Sequence, residues 1–310
     1  MRKGQEMNMG NIYTSDHRTV SAELLDHPLA LLPEHVGLWV RGEGWPVESA
    51  LPSPKREAVS GGGVMVIPIM GTITKRPQWY GGTSVDQIRA QFRAALADRD
   101  TSTIVFDIDS PGGSTSGVEE LATEILEARG KKRIISVANT LAASAAYWLG
   151  SSAGEVVISP SGEAGSIGVY AVHRDISSAL QAAGVNDTIV KAGRFKTEGA
   201  PSEPLTLAAR EAIQAVVDEF YGRFTGHVAE ARGTTRALVQ SGYGEGRLLT
   251  AKQAVASGLA DRVASFSAVL QDLGVETPSM DLGQRRSSAL HSARLRRAER
   301  ALAVSKISWR

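Results

Sequence analysis

Ser144 lies in Thr140-Leu-Ala-Ala-Ser-Ala-Ala-Tyr-Trp148, flanked by small side chains that let backbone amides and other segments come close. A serine hydroxyl is a poor nucleophile until a neighbouring base takes its proton. The residues that matter next are therefore candidate bases, and amides able to hold an oxyanion.

Six histidines are present: His17, His27, His35, His173, His227 and His291. Only His173 falls among the predicted strand ends, and nothing marks it as a triad base. A surface or internally satisfied histidine is the plainer reading. The other candidate base is a lysine in Ala192-Gly-Arg-Phe-Lys-Thr-Glu-Gly-Ala200. At an ordinary pKa of roughly 10.4 a lysine is protonated and cannot accept a proton. Burial in an apolar site disfavours its charged form and makes it a base. Lys191, Arg194 and Lys196 taken alone do not single one out, and a solvated basic loop is the simpler reading. For the oxyanion, Ser110-Pro-Gly-Gly113 joins a predicted strand to a predicted helix and exposes free amides at the turn. An ordinary tight turn would carry the same residues.

Other motifs lead less far. Gly150-Ser-Ser-Ala-Gly154 has the Gly-x-Ser-x-Gly spacing, but a helix precedes it and a strand follows, the reverse of a nucleophile elbow. Asp107 and Asp109 alternate on one strand and share a face, without further ligands to complete a metal site. Gly242-Tyr-Gly-Glu-Gly246 lacks the βαβ setting of a dinucleotide loop and the lysine of a phosphate loop.

The elements that must position these residues follow from periodicity. Val64–Met70 reads as a strand buried on both faces, with Pro68 placing it at an edge or bulge. Ser84 caps a helix whose face is Val85, Ile88, Phe92 and Leu96. Thr103–Asp109 is a β-branched strand, followed by a helix from about Ser116 to Arg129 that stops at Gly130. Further strands are predicted at Ile134–Ala138, Glu155–Ile158, Gly165–Val172, Asn186–Val190 and Leu259–Val263. Helices are predicted at Ala142–Leu149, Asp175–Ala183 and Pro204–Arg232, the last with a face of Ile213, Val216, Val217, Phe220, Phe224 and Val228. Thr250-Ala-Lys-Gln253 opens another helix that ends at Gly258. Such alternation argues an α/β fold with mainly parallel pairing.

Residues 1–61 read as an irregular, proline-rich arm whose Leu29-Ala-Leu-Leu32 and Val36-Gly-Leu-Trp-Val40 dock on a neighbouring surface, with one short helix at most. Residues 62–265 form the domain, and 266–310 a basic, partly helical tail, with a short amphipathic piece near Val269–Leu273. Net charge is +1, so no overall bias points to nucleic acid or a membrane surface. With no cysteine, a disulfide framework, a thiolate metal site and a cysteine nucleophile are excluded. Met1–Asn11 has no signal-like apolar run and no stretch reaches membrane-span length, so the expectation is a soluble, cytoplasmic protein without a membrane anchor.

In order and spacing, Ser110-Pro-Gly-Gly113, Ala142-Ala-Ser-Ala-Ala-Tyr147, Gly165-Ser-Ile-Gly-Val169, Gly193-Arg-Phe-Lys196 and Gly246-Arg-Leu-Leu-Thr250 through Gly258-Leu-Ala-Asp261 resemble the S49 serine peptidases, the signal peptide peptidase A family. The resemblance spans roughly residues 62 to 265. It implies an α/β, Clp protease/crotonase-like ββα superhelix and assembly into homo-oligomers that often complete the site. By position it implies Ser144 as nucleophile, Lys196 as general base, Ser166 as the hydroxyl that orients the lysine, and the amides of Gly113 and Ala145 as oxyanion hole. Ala145-Ala146 replaces the family's usual Gly-Gly, which keeps the amide but narrows the space. No metal, nucleotide or other cofactor is implied.

The proline-rich arm and arginine-rich tail are similar to those of head-maturation proteases of tailed phages. The expected function is thus a Ser-Lys endopeptidase whose partners are capsid, scaffold or portal chains of a procapsid. The rivals are a signal-peptide or general protein-degrading peptidase of a bacterial host, an acyl-CoA enzyme of the crotonase type, and a catalytically silent capsid or scaffold component.

Overall fold

The computed structural model describes residues 28–31, 59–77 and 82–275. In chain order the strands are β1 (Leu29–Leu31), β2 (Val59–Gly61), β3 (Val64–Met70), β4 (Ile73–Thr74) and β5 (Thr83–Ser84). Helix α1 (Val85–Ala97) follows, then β6 (Thr103–Ser110), β7 (Gly112–Ser114) and α2 (Val118–Glu127), which tightens into a 3-10 turn at Ala128–Gly130. Next come β8 (Arg133–Ala143), α3 (Ala145–Ser151), β9 (Glu155–Ile158), β10 (Glu163–Gly165), α4 (Ser177–Ala182) and the long α5 (Leu207–Ala231). The last elements are α6 (Arg236–Gly242), β11 (Leu248–Thr250), α7 (Ala251–Ser257), β12 (Arg262–Val263) and α8 (Phe266–Asp272).

The ββα unit is visible twice. A long strand, one or two short strands and a helix recur as β3–β4–β5–α1 and as β6–β7–α2. The long strands β3, β6 and β8 run parallel in one sheet, ordered β11-β10-β8-β6-β3-β2, while the short ones form a second sheet, β1-β7-β4-β5. The expected α/β class with mainly parallel pairing holds. One face of the large sheet carries the main core, with Ile67, Ile69, Phe106 and Ile108 packed against Phe92 of α1, Leu121 of α2, Trp148 of α3 and Phe224 of α5. The other face is covered by Val269 and Leu270 of α8, against Val64, Val105, Ile135, Val137 and Val157. Among the described residues, no helix is long and apolar enough to cross a membrane.

Local signals explain many boundaries. Ser84 accepts from the Gln87 amide and starts α1, the Thr250–Gln253 capping box starts α7, and Gly258 ends α7 at φ 82°. Pro68 sits where β3 has β6 on one side and has passed the end of its pairing with β2, so its missing N–H costs no ladder bond there.

Five expectations are corrected. The helix predicted from Ala142 begins at Ala145, because β8 bulges between its pairings to Ile108 and Ser110 and continues to Ala143, changing partner from β9 to β10. The strand predicted over Gly165–Val172 ends at Gly165, since Ser166 turns to positive φ and bonds to the Arg247 carbonyl. Asn186–Val190 pairs with no strand among the described residues and is exposed. β3 is only partly buried, not buried on both faces throughout. In α5 only the C-terminal part of the predicted face, Phe224 and Val228, enters the core, while Val216 is exposed. The expected arm helix and most of the tail lie outside the described residues.

Candidate active site

β8 and α3 meet at Ser144, whose backbone adopts φ 56° and ψ −119°. A non-glycine residue there is strained and is held only by its surroundings. Three such restraints are on hand. The Ser144 amide donates to the Gly165 carbonyl at 2.8 Å, and the Trp148 amide donates to the Ser144 carbonyl at 2.9 Å. The side chain sits at hydrogen-bond limit, 3.5 Å from the Gly168 carbonyl. The strand–serine–helix turn is the geometry of a nucleophile elbow, although no Gly-x-Ser-x-Gly marks it. Gly150–Gly154, which does carry that spacing, spans only the end of α3 and the turn after it.

α3 is anchored at its far end. The Arg129 guanidinium donates to the carbonyls of Ser151, Ser152 and Ala153, and to Ala231 at the end of α5. Trp148 stacks on Phe224 at 4.4 Å, Tyr147 donates to the Leu259 carbonyl at 2.7 Å, and burial pushes the Tyr147 phenol pKa up, so it stays a neutral donor. Ser152 Oγ lies 2.8 Å from His227 Nε2. Burial, and then the nearby Arg129 charge, push His227 down to about 4. His227 is thus neutral and buried on the far side of α3, and His173 lies in the loop beyond Tyr170 without a hydrogen bond to Ser144.

Facing Ser144 is the glycine strand β7. A Cβ on Gly112, itself at φ 94°, would stand 2.9 Å from the Ser144 Cβ, and one on Gly113 would stand 1.8 Å from the Ile73 carbonyl oxygen. Only glycine allows that approach. Ser110 Oγ donates to the Gly71 carbonyl and accepts from the Gly112 amide, which fixes the turn. Ala145 opens α3, so its amide belongs to the first helical turn, where N–H groups lack helical partners. Ser166 follows Gly165 directly and is the second strained serine, at φ 51°. The third non-glycine residue with positive φ among the described residues is Glu245. It lines an open groove of about 450 Å³ with Ile167, Gly168, Val169, Asp218 and Tyr221. Sequence reasoning missed this groove and the Gly165 and Gly168 carbonyls, for backbone acceptors leave no residue-type signal.

Ser144, Ser166, Ala145 and the Gly112-Gly113 strand are thus gathered at one point. Lys196 is not brought to it within one chain. It is exposed, its amide bonds to the Gly193 carbonyl, and no hydrogen bond joins its amine to Ser144 or Ser166 among the described residues. Its loop is held by Lys191 Nζ donating to Thr197 Oγ1 and by Arg194 over the Phe195 ring. Asp107 is buried and accepts from Asn139, whereas Asp109 on the same face is exposed.

Comparison with known proteins bears on this arrangement. The chain is 28% identical over 247 residues to capsid assembly protease C of Escherichia phage lambda, covering 78% of this chain and 54% of that protein. It is 31% identical over 216 residues to Protease 4 of Salmonella typhi, covering 69% and 34%. It therefore spans about half of the first relative and a third of the second. A ClpP1 variant from Listeria monocytogenes superposes with a TM-score of 0.42 at 15% identity, covering 66% of this chain and 94% of that one. Residues 127–277, which hold Ser144, Ser166 and Lys196, match the model described as Peptidase family S49, and it is to this family that the chain belongs.

Proposed function

We propose that the protein is a serine endopeptidase in which Ser144 attacks the peptide carbonyl and Lys196 takes its proton and passes it to the leaving amine. The amides of Gly113 and Ala145 receive the oxyanion, and Ser166 orients the lysine. The observation that carries this reading is the strained Ser144 at the β8–α3 turn, set against a glycine strand that tolerates no side chain. The small residues around Ser144 favour substrates with a small or apolar side chain ahead of the scissile bond.

Lys196 reaches a serine in this reading only through assembly. Its segment exposes Val190 (94%) and Phe195 (58%), and α5 begins with Leu207 at 71%. Apolar side chains so placed are suited to a second copy, which would bring the Lys196 loop of one chain to Ser144 of another and exclude water around it. Dry surroundings are what a neutral lysine requires. The substrates proposed are phage head proteins, because the lambda relative is named a capsid assembly protease.

Intact-mass spectrometry of wild type and Ser144→Ala, each co-expressed with candidate head proteins, tests this. Truncated chains with wild type alone support it, and identical full-length masses for both with every candidate would sink it. Mixing inactive Ser144→Ala and Lys196→Ala chains tests the assembly: cleavage should reappear in the mixture.

A further inference from the structure

Ser144 is only 1% exposed, so the candidate nucleophile is closed to an incoming chain. Part of its cover comes from far outside the domain in sequence. β1 runs antiparallel to β7, with Leu29 opposite Ser114, Ala30 opposite Gly113 and Leu31 opposite Gly112. Its other edge meets the loop after Ser166: the Leu29 amide donates to the Tyr170 carbonyl at 2.8 Å, and the Tyr170 amide to the Leu29 carbonyl at 3.0 Å. One residue earlier, the Pro28 carbonyl accepts from the Thr115 amide and hydroxyl.

Bonded and non-bonded pairs alternate along an antiparallel ladder. Pro28–Thr115 is a bonded pair, and the Leu29 backbone groups turn away to Tyr170. Ala30–Gly113 is then the next bonded pair, with the Gly113 amide turned to the Ala30 carbonyl. That carbonyl oxygen lies 2.3 Å from the point where a Cβ on Gly112 would stand, and Ser144 Cβ lies 2.9 Å from the same point. An extended segment therefore lies between two backbone edges, its carbonyl on the glycine strand and beside the serine. Ala30 is fully buried, so the space opposite Gly113 admits a small side chain.

We propose that the channel between β7 and Tyr170 is the seat of an extended peptide substrate, and that Leu29-Ala30-Leu31 fills it as a tethered occupant. Main-chain pairing to both edges supplies the affinity, and the tight space opposite Gly113 selects a small residue. The arm must leave before another chain can enter, so activity is gated by its release. The proposal rests on the peptidase reading for the word substrate, but occupancy can be measured without turnover.

The chain has no cysteine, so a single disulfide can lock the arm cleanly. Leu29 and Tyr170 form a bonded antiparallel pair, for which a Cα separation of about 5.5 Å is usual and within disulfide reach. In a Ser144→Ala background, Leu29→Cys with Tyr170→Cys is compared oxidised and reduced, using a fluorescent peptide of residues 26–34 as probe. Arm release sets the apparent affinity, so the reduced form should bind at least about tenfold more tightly than the oxidised one. Leu31→Asp, which expels the arm by burying a charge, should bind tighter still. Equal binding by oxidised and reduced protein, or no gain in a Leu31→Asp chain that still unfolds cooperatively, overturns the proposal. With Ser144 intact, full-rate cleavage of a head protein by the locked form also overturns it and leaves the peptidase reading standing. Peptide binding by the reduced form without any cleavage does the reverse.

Discussion

The Ser144 amide is bonded to the Gly165 carbonyl at 2.8 Å, and this extends the β8–β10 pairing of Ala143 with Gly165 by one rung beyond the last strand residue. The same backbone step that ends β10 at Gly165, followed by the strained Ser166, therefore holds the strained Ser144. Two residues in disfavoured conformations are kept in place by one shared ladder end.

Strain at Ser144 can be measured apart from its chemistry. Ser144→Ala and Ser144→Gly should both abolish cleavage. Alanine keeps the conformational cost at φ 56°, whereas glycine removes it. Ser144→Gly is therefore expected to be more stable than Ser144→Ala by about 1 kcal/mol in urea unfolding. Equal stability would mean that the surroundings do not impose the conformation.

The glycine strand gives a second prediction. On Gly113 a methyl group would meet the Ile73 carbonyl at 1.8 Å, a backbone atom that cannot rotate away. Gly113→Ala should cost at least about 3 kcal/mol and leave little folded protein. On Gly130, at the end of the 3-10 turn after α2, a Cβ meets nothing within 4 Å. Gly130→Ala should stay within about 0.5 kcal/mol of wild type. Thermal melts of the two variants side by side make the comparison.

The same contrast shows what could be read from the sequence. β3, β6, β9, α1, α2 and α7 follow from periodicity and caps, because their neighbours agree with their local preferences. The Thr140–Trp148 stretch misleads, since its alanines favour a helix while pairing to β6 and β10 extends the strand to Ala143. Asn186–Val190 misleads in the opposite sense, as its β-branched residues have no described strand to pair with. The close backbone approach at Ser144 and Gly112-Gly113 was suggested by their small neighbours, while the roles expected of Ser144 and Gly113 came by position from the family resemblance. Tyr170 was not legible, for it acts through its backbone, and Lys196 was singled out by the family resemblance alone.

Arg129 yields the next prediction. Its guanidinium satisfies four carbonyls at the C-terminal ends of α3 and α5, at 2.7 to 2.9 Å. Arg129→Met keeps the length but strands those acceptors in a half-buried site, where unpaired polar groups are costly. A loss of about 3 kcal/mol is expected, with reduced turnover because α3 loses the anchor that opposes Ser144. A variant of unchanged melting temperature would show that water replaces the guanidinium without loss.

His227 links stability to pH. It is 9% exposed, with Nε2 on Ser152 Oγ, and burial together with Arg129 lowers its pKa from 6.5 to about 4. Between these values the unfolded chain binds a proton that the folded chain does not, so stability rises with pH across that window. The contribution is fully present above pH 6.5 and is lost progressively as pH falls toward 4, amounting to roughly 3 kcal/mol. Carboxylates such as Asp261, held low by its Arg232 hydrogen bond against the opposing effect of burial, weaken the fold at still lower pH. Comparison with His227→Gln isolates the histidine. Urea unfolding between pH 7.5 and 4.5 should show a steeper loss for wild type than for His227→Gln, and parallel curves would place the protonation of His227 outside the folding equilibrium. Because His227 packs beside Trp148 on α3, the same acid range should loosen the support of Ser144 before the sheet unfolds, so cleavage should fall at a higher pH than far-ultraviolet circular dichroism does.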